Sequence, residues 1–189
     1  MPRKSRRLLG ETVCHHMVQG INKEEIFKTE DNKEKYIELL KKYYKEFKID
    51  IIAYCIMDNH VHMLLYANDI KQISNFMKNI NSIYAMYYNK KTDRVGYVFK
   101  SVPIMDRKQL YTCIKYIHMN PVKAGKVKEE SDYRYSSYND YLNKTGFIHE
   151  EILKFIFNSS NNYIEKFQSI EYENSKEEVN LKKALEDFL

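Results

Sequence analysis

Along this chain the spacing of apolar residues switches between a period of two and a period near 3.6, and the switches predict its elements. Residues 12–20, TVCHHMVQG, read as a strand of mixed pattern that closes at Gly20, a residue able to turn or bulge. Over residues 32–47, Tyr36, Leu39, Leu40, Tyr43 and Phe47 recur at helical spacing between lysines and glutamates, predicting an amphipathic helix capped by Asp31 or Asn32. Residues 49–57, IDIIAYCIM, are β-rich and apolar on both faces, as in a central strand. The polar pair Asp58-Asn59 then predicts a tight turn into HVHMLLYA, the antiparallel partner of a hairpin.

A second, longer helix is predicted over residues 69–91, with Ile70, Ile73, Phe76, Met77, Ile80, Ile83, Tyr84 and Tyr87 on one stripe. Residues 95–105 return to strand character, and Pro103 marks an edge or a bend. A third helix, residues 106–121, is expected to stop at Pro121, which lacks an N–H and restricts Asn120 before it. A loop and a short helix at 136–142 follow, then helix, polar linker and helix. The order strand, helix, strand, strand, helix, strand, helix suits an α+β ferredoxin-like sandwich, an antiparallel sheet with helices on one face. The opposite face is expected to be free. A helical C-terminal extension completes the chain, and we divide it into residues 1–147 and an acidic extension, 148–189.

Charge sharpens that division. Residues 148–189 hold five lysines against nine acidic residues, net −4, so +9 of charge belongs to the rest of a chain whose total is +5. Such an excess can neutralise phosphates, or it can be a solvated lysine-rich surface. The 17 tyrosines, with no tryptophan, suit base stacking and a polar-rimmed core equally. Cys14, Cys55 and Cys113 form no C-x-x-C pair and sit in apolar runs, which argues for a reducing compartment and against disulfides or a thiolate zinc site. No apolar run approaches the ~20 residues of a membrane span. The basic start, MPRKSRRLLG, lacks the apolar stretch of an export signal, so a cytoplasmic protein without a membrane partner is expected.

Two groups of residues could do chemistry. On a strand, His60 and His62 point to one face while Val61, Met63 and Leu65 point to the other. Two imidazoles so placed can share one divalent cation, although two half-exposed histidines on an ordinary strand are the plainer account. In YIHMNP, Tyr116 and Asn120 lie one helical turn apart on one face. A phenol with a pKa of about 10 is a poor nucleophile without electrostatic help. Spacing alone leaves Tyr116 open to being a core aromatic and Asn120 a helix-ending residue.

The segments DNHVHMLL, YIHMNPVKAG and DYRYSSYNDY, with HHMVQGINKEEIF and VGYVFKS, resemble the single-tyrosine HUH transposase family and, within it, the REP-associated tyrosine transposases. The likeness covers about residues 1–142. It implies that His60, His62 and Asn120 bind a divalent metal, Mg²⁺ or Mn²⁺, and that Tyr116 attacks single-stranded or hairpin DNA to leave a 5′-phosphotyrosine and a free 3′-OH. It also implies a homodimer, since members commonly act as dimers, some of them exchanging the tyrosine helix. The chain departs from the pattern in KSVPIM, where relatives often carry glycine-arginine-aromatic, and at Tyr135, where they often carry tryptophan. For DNA contact the candidates are Arg3, Lys4, Arg6 and Arg7 as a basic arm, and Lys100, Arg107, Lys115 and Lys123 around the third helix. The alternative is a non-catalytic nucleic-acid-binding module on the same sheet. A third reading, a hydrolytic metalloenzyme, has no H-E-x-x-H or Asp-rich motif behind it.

Overall fold

The computed structural model describes residues 12–92, 98–103, 107–158 and 163–169, with side chains for all of these except 98–103, 107, 108 and 163. Four strands, β1 (Val13–Gln19), β2 (Asp50–Ile56), β3 (His60–Tyr66) and β4 (Val98–Pro103), form one sheet in the order β2-β3-β1-β4. Every neighbouring pair is antiparallel. Helix α1 (Glu30–Tyr43) connects β1 to β2, α2 (Ile70–Thr92) connects β3 to β4, and α3 (Arg107–Lys123) follows the last strand. This is the predicted ferredoxin-like α+β arrangement, with the strand carrying Pro103 at an edge. Three short helices follow: α4 (Tyr138–Asn143), α5 (Glu150–Phe157) and α6 (Tyr163–Gln168).

Residues opposite one another in an antiparallel pair share a face. The register therefore puts His15, Met17, Gln19, Cys55, His60, His62 and Leu64 on one face. Cys14, His16, Val18, Tyr54, Ile56, Val61 and Met63 occupy the other. All seven residues of β1 are buried, so both faces are covered. Helices α1 and α2 pack together, and Phe27, Tyr36 and Tyr84 join them in an aromatic cluster with centroid separations of 4.9–5.2 Å. Tyr44, at the end of α1, meets Phe147 at 5.2 Å, and Phe147 meets Tyr54 of the second face at 5.7 Å. The first face, expected to be free, instead carries α3, which lies against β2 and β3. Leu110, Cys113, Ile114 and Ile117 of α3 are fully buried, and an apolar stripe of that kind needs a surface to cover.

Strand β2 is buried on both faces as a central strand would be, yet it stands at an edge. The backbone of residues 135–137 seals it: Ile56 N donates to Tyr135 O at 2.9 Å and Ser137 N to Tyr54 O at 3.0 Å. The Ser137 hydroxyl accepts from Tyr54 N at 2.9 Å. A covered edge cannot pair with another chain. The cap of α1 is Thr29, whose extended backbone lets its hydroxyl accept from Asn32 N at 3.3 Å. Asn32 lies inside the helix and donates its side-chain amide to Ile26 O at 3.3 Å. The tyrosines serve the interior: the hydroxyls of Tyr84, Tyr133 and Tyr141 donate to the carbonyls of Ile26, Ile56 and Ile52 at 2.6, 2.8 and 2.8 Å. Each buries a ring and satisfies a backbone oxygen at once.

All three cysteines are buried, and none of them is in a disulfide. The first part of the acidic extension packs on the body, with Phe155 against Tyr66 at 4.9 Å and Phe167 stacked on Tyr141 at 4.5 Å. Among the described residues no helix is long and apolar enough to cross a membrane.

One ion cluster ties the start of β3 to two helices. Asp58 accepts from Lys33 of α1 at 2.8 Å and from Lys126, just past α3, at 2.5 Å. Burial pushes the Asp58 carboxyl up, but the hydrogen bonds and charges of Lys126 and Lys33 outweigh it and hold it below the usual aspartate range. Its contribution to stability is therefore complete above the ordinary value of about 4 and lost as pH falls through the lowered one. Asp58→Asn is expected to cost about 1–3 kcal/mol at pH 7 by urea unfolding, because it strips the buried Lys33 ammonium of its counter-ion. The gap between wild type and variant should close as the pH is taken below about 4.

Candidate active site

β3 begins at His60, directly after the turn, and its alternation carries both predicted histidines to the face under α3. Their rings lie 4.7 Å apart, centroid to centroid. His60 Nδ1 donates to Asn59 Oδ1 at 2.7 Å, which leaves Nε2 of that ring with its lone pair. His62 Nδ1 shares a buried 3.0 Å hydrogen bond with His15 Nε2 from β1, so Nδ1 of this ring too is occupied within the chain. Tyr116 of α3 comes edge-on to this pair of strands, 5.4 Å from the His62 ring and 6.0 Å from the His15 ring. Tyrosine and histidines thus meet within a single chain. Lys123 Nζ stands 5.6 Å from the centre of the Tyr116 ring.

Asn120 sits one turn beyond Tyr116, and its side-chain amide donates to Tyr116 O at 2.7 Å, with a longer contact of 3.5 Å to Ile117 O. Ile117 O is the carbonyl that Pro121, lacking an N–H, leaves without its helical donor. The helix consequently runs through Pro121 to Lys123 rather than ending before it. The proline falls in the last turn, where a single lost bond can be made good by the neighbouring amide. With its NH₂ committed to the backbone, Asn120 has its oxygen to offer a cation.

Burial governs the charge of all three imidazoles. It lowers His60 to about 4 against the opposing pull of Asp58. It lowers His15 to about 3, with smaller contributions from His16 and His60, and His62 well below its ordinary value, with contributions from His60 and His15. At neutral pH they are uncharged, the form that ligates metal. Neutral imidazole nitrogens suit Mn²⁺ better than Mg²⁺. Among the described residues no three His, Cys, Asp or Glu side chains are grouped to hold a metal ion.

The family profile described as "Transposase IS200 like" matches residues 11–119, more than half of the chain. The chain belongs to the IS200-like transposase family. The matched stretch takes in His15, His60, His62 and Tyr116 and stops one residue before Asn120. Among solved structures, the fold is similar to that of a REP-associated tyrosine transposase bound to a REP hairpin, with a TM-score of 0.59 and 17% identity over 74% of this chain and 84% of that one. At that identity the likeness is one of fold. No curated protein matches this family member in sequence.

The basic candidates are not gathered as the histidines are. Lys123 lies at the tyrosine, whereas Lys115 is tied to Glu130 at 2.8 Å. Arg3, Lys4, Arg6 and Arg7 fall outside the described residues, and Lys100 and Arg107 are among those whose side chains are not described. Three polar residues escaped the sequence reading. His15 and Asn59 hold the two histidines. His118, inside the YIHMNP segment, is buried with Nε2 at 2.9 Å from Ser137 Oγ, its ring set against Tyr138, Tyr141 and Phe167, and so fixes α3 to the segment that seals β2. In HHMVQ adjacent histidines must face opposite ways; only the β1–β3 pairing tells which of them meets His62.

Asn120→Ala, which removes the amide from the Tyr116 and Ile117 carbonyls, is expected to lower stability by about 1 kcal/mol in urea unfolding. Combining it with Pro121→Ala, which restores a backbone donor to Ile117 O, should recover part of that loss.

Proposed function

We propose that this protein is a metal-dependent transposase that cleaves and rejoins single-stranded DNA, at hairpin-bearing sites, through a 5′-phosphotyrosine intermediate. The observation that carries the reading is the seat of Tyr116 against His62, with His60 beside it, on a family fold. Placing a nucleophile and a phosphate-binding centre in one small region supplies the proximity that a weak nucleophile needs.

In this reading His60 and His62, through Nε2, and Asn120, through its oxygen, hold a divalent cation, Mg²⁺ or Mn²⁺. When bound, such an ion polarises the scissile phosphate and orients it. Tyr116 Oη attacks phosphorus, its proton passing to water as the O–P bond forms. The P–O3′ bond breaks, and the departing oxygen takes up a proton to become a free 3′-OH. The chain then carries the 5′ end as a phosphotyrosine, and attack by a 3′-OH on that linkage reverses the step without an external energy source. Lys123, whose Nζ stands 5.6 Å from the centre of the Tyr116 ring, places a positive charge beside the attacking group. Arg3, Lys4, Arg6, Arg7, Lys100 and Arg107 are assigned to the DNA backbone, together with Lys115 to the extent that Glu130 releases it. In a homodimer, each subunit would hold its own tyrosine and histidines.

The test is incubation of the full chain with Mn²⁺ and a single-stranded oligonucleotide bearing a hairpin, read on a denaturing gel. A covalent protein–DNA adduct is expected, absent with chelator and in Tyr116→Phe. An adduct that survives Tyr116→Phe would remove Tyr116 as nucleophile, and DNA binding that ignores chelator with no adduct at all would favour the non-catalytic alternative.

A further inference from the structure

We infer that His15 is a positioning residue for the metal centre: through its Nε2 it accepts the Nδ1 proton of His62 and so turns the lone pair of His62 Nε2 toward the cation. The inference rests on the metal-binding reading above and adds a residue to it. His15 is fully buried on β1, two residues from the position directly opposite His62, and the two rings are linked at 3.0 Å with centroids 5.0 Å apart. One N–H···N bond joins two neutral imidazoles, so one ring donates and the other accepts. If His15 Nε2 donates, the remaining proton of His62 sits on Nε2 and blocks a metal. If His62 Nδ1 donates, Nε2 is bare and faces the ligand.

The second arrangement puts the proton of His15 on its Nδ1, a buried atom with no hydrogen-bond partner. An orphaned donor is costly in a protein interior, and its cost is a reason to expect a compensating gain elsewhere. The ligand bond at His62 Nε2 supplies it. His60 is served in the same manner by a different group, since Asn59 Oδ1 is an acceptor with no proton to give and fixes the corresponding tautomer outright. The two ligands are therefore held alike, each by an acceptor at Nδ1, one from the turn before β3 and one from the neighbouring strand. Partners of this kind orient a metal-bound imidazole and raise its basicity.

The experiment compares Mn²⁺ binding by titration calorimetry in the full-length wild type, His15→Leu, His15→Gln and His62→Ala. Leucine fills the site without an acceptor, whereas the terminal oxygen of glutamine can reach the place of Nε2. His15→Leu should weaken Mn²⁺ binding about 10–100-fold, and His15→Gln should recover most of it. In Mg²⁺-loaded wild type, ¹⁵N spectra of the imidazoles should place the shared proton on His62 Nδ1, with a scalar coupling across the bond to His15 Nε2. Equal binding in wild type and His15→Leu, equal losses in the leucine and glutamine variants, or the shared proton on His15 Nε2 overturns the inference. If His15→Leu does not fold, the wild-type spectrum decides alone. Mn²⁺ binding that is lost in His62→Ala but kept in His15→Leu defeats this inference and leaves the metal centre standing; absence of binding in wild type, or its persistence in His62→Ala, removes both.

Discussion

The register between β1 and β3 is the constraint on which the site depends. His15 and His62 can reach each other only because Met17 stands opposite His62 and Leu64 opposite His15. A slip of one residue would send one of the two imidazoles to the other face of the sheet, under different helices. The register is held by burial, since every residue of β1 and five of the seven in β3 are buried. It is also held from outside the strands: Gly20 N donates to Asn59 O at 3.1 Å and Phe27 N to Asp58 O at 2.7 Å, pinning the far end of β1 and the chain after it to the β2–β3 turn. The close approach at Gly20 leaves no room for a side chain, because a Cβ there would lie 2.3 Å from Glu24 O.

Helix α3 completes the site by lying over the same face. It is fixed at both ends of its working half: His118 joins it to Ser137, and the chain just beyond it is tied through Lys126 to Asp58, two residues before His60. These ties run between the segment that presents the tyrosine and the segment that presents the histidines. Asp58 thereby belongs to the architecture of the site without facing it, and Lys33, reaching from α1, brings in the opposite layer of the sandwich.

Much of this was legible in the residues. Period-two alternation placed His60 and His62 on one face, and the 3.6-residue stripes located α1, α2 and α3 to within a few positions. The order of elements gave the sheet. What could not be read was pairing between segments distant in sequence. The isolation of β2 at an edge was hidden because YRYSS, a run of turn-forming and aromatic residues, supplies a short surrogate strand through its backbone, and backbone hydrogen bonding leaves no mark on residue type. His15 was hidden for the same reason, since its partner lies 47 residues away and only the register joins them. Pro121 misled because its cost is local: the rule that proline ends a helix presumes that no side chain replaces the missing donor, and Asn120 does.

The meeting of Tyr116 and His62 in one polypeptide has a consequence for mixed populations. Where a catalytic set is divided between subunits, a copy without its phenol and a copy without its imidazoles can pool what each retains and form one working pair. If Tyr116 and the histidines act as proposed, a chain that seats its own phenol beside its own imidazoles gives no such opportunity, and damage to either group would stay with the molecule that suffered it. Inheritance of defective copies alongside intact ones would then dilute the working population without poisoning it.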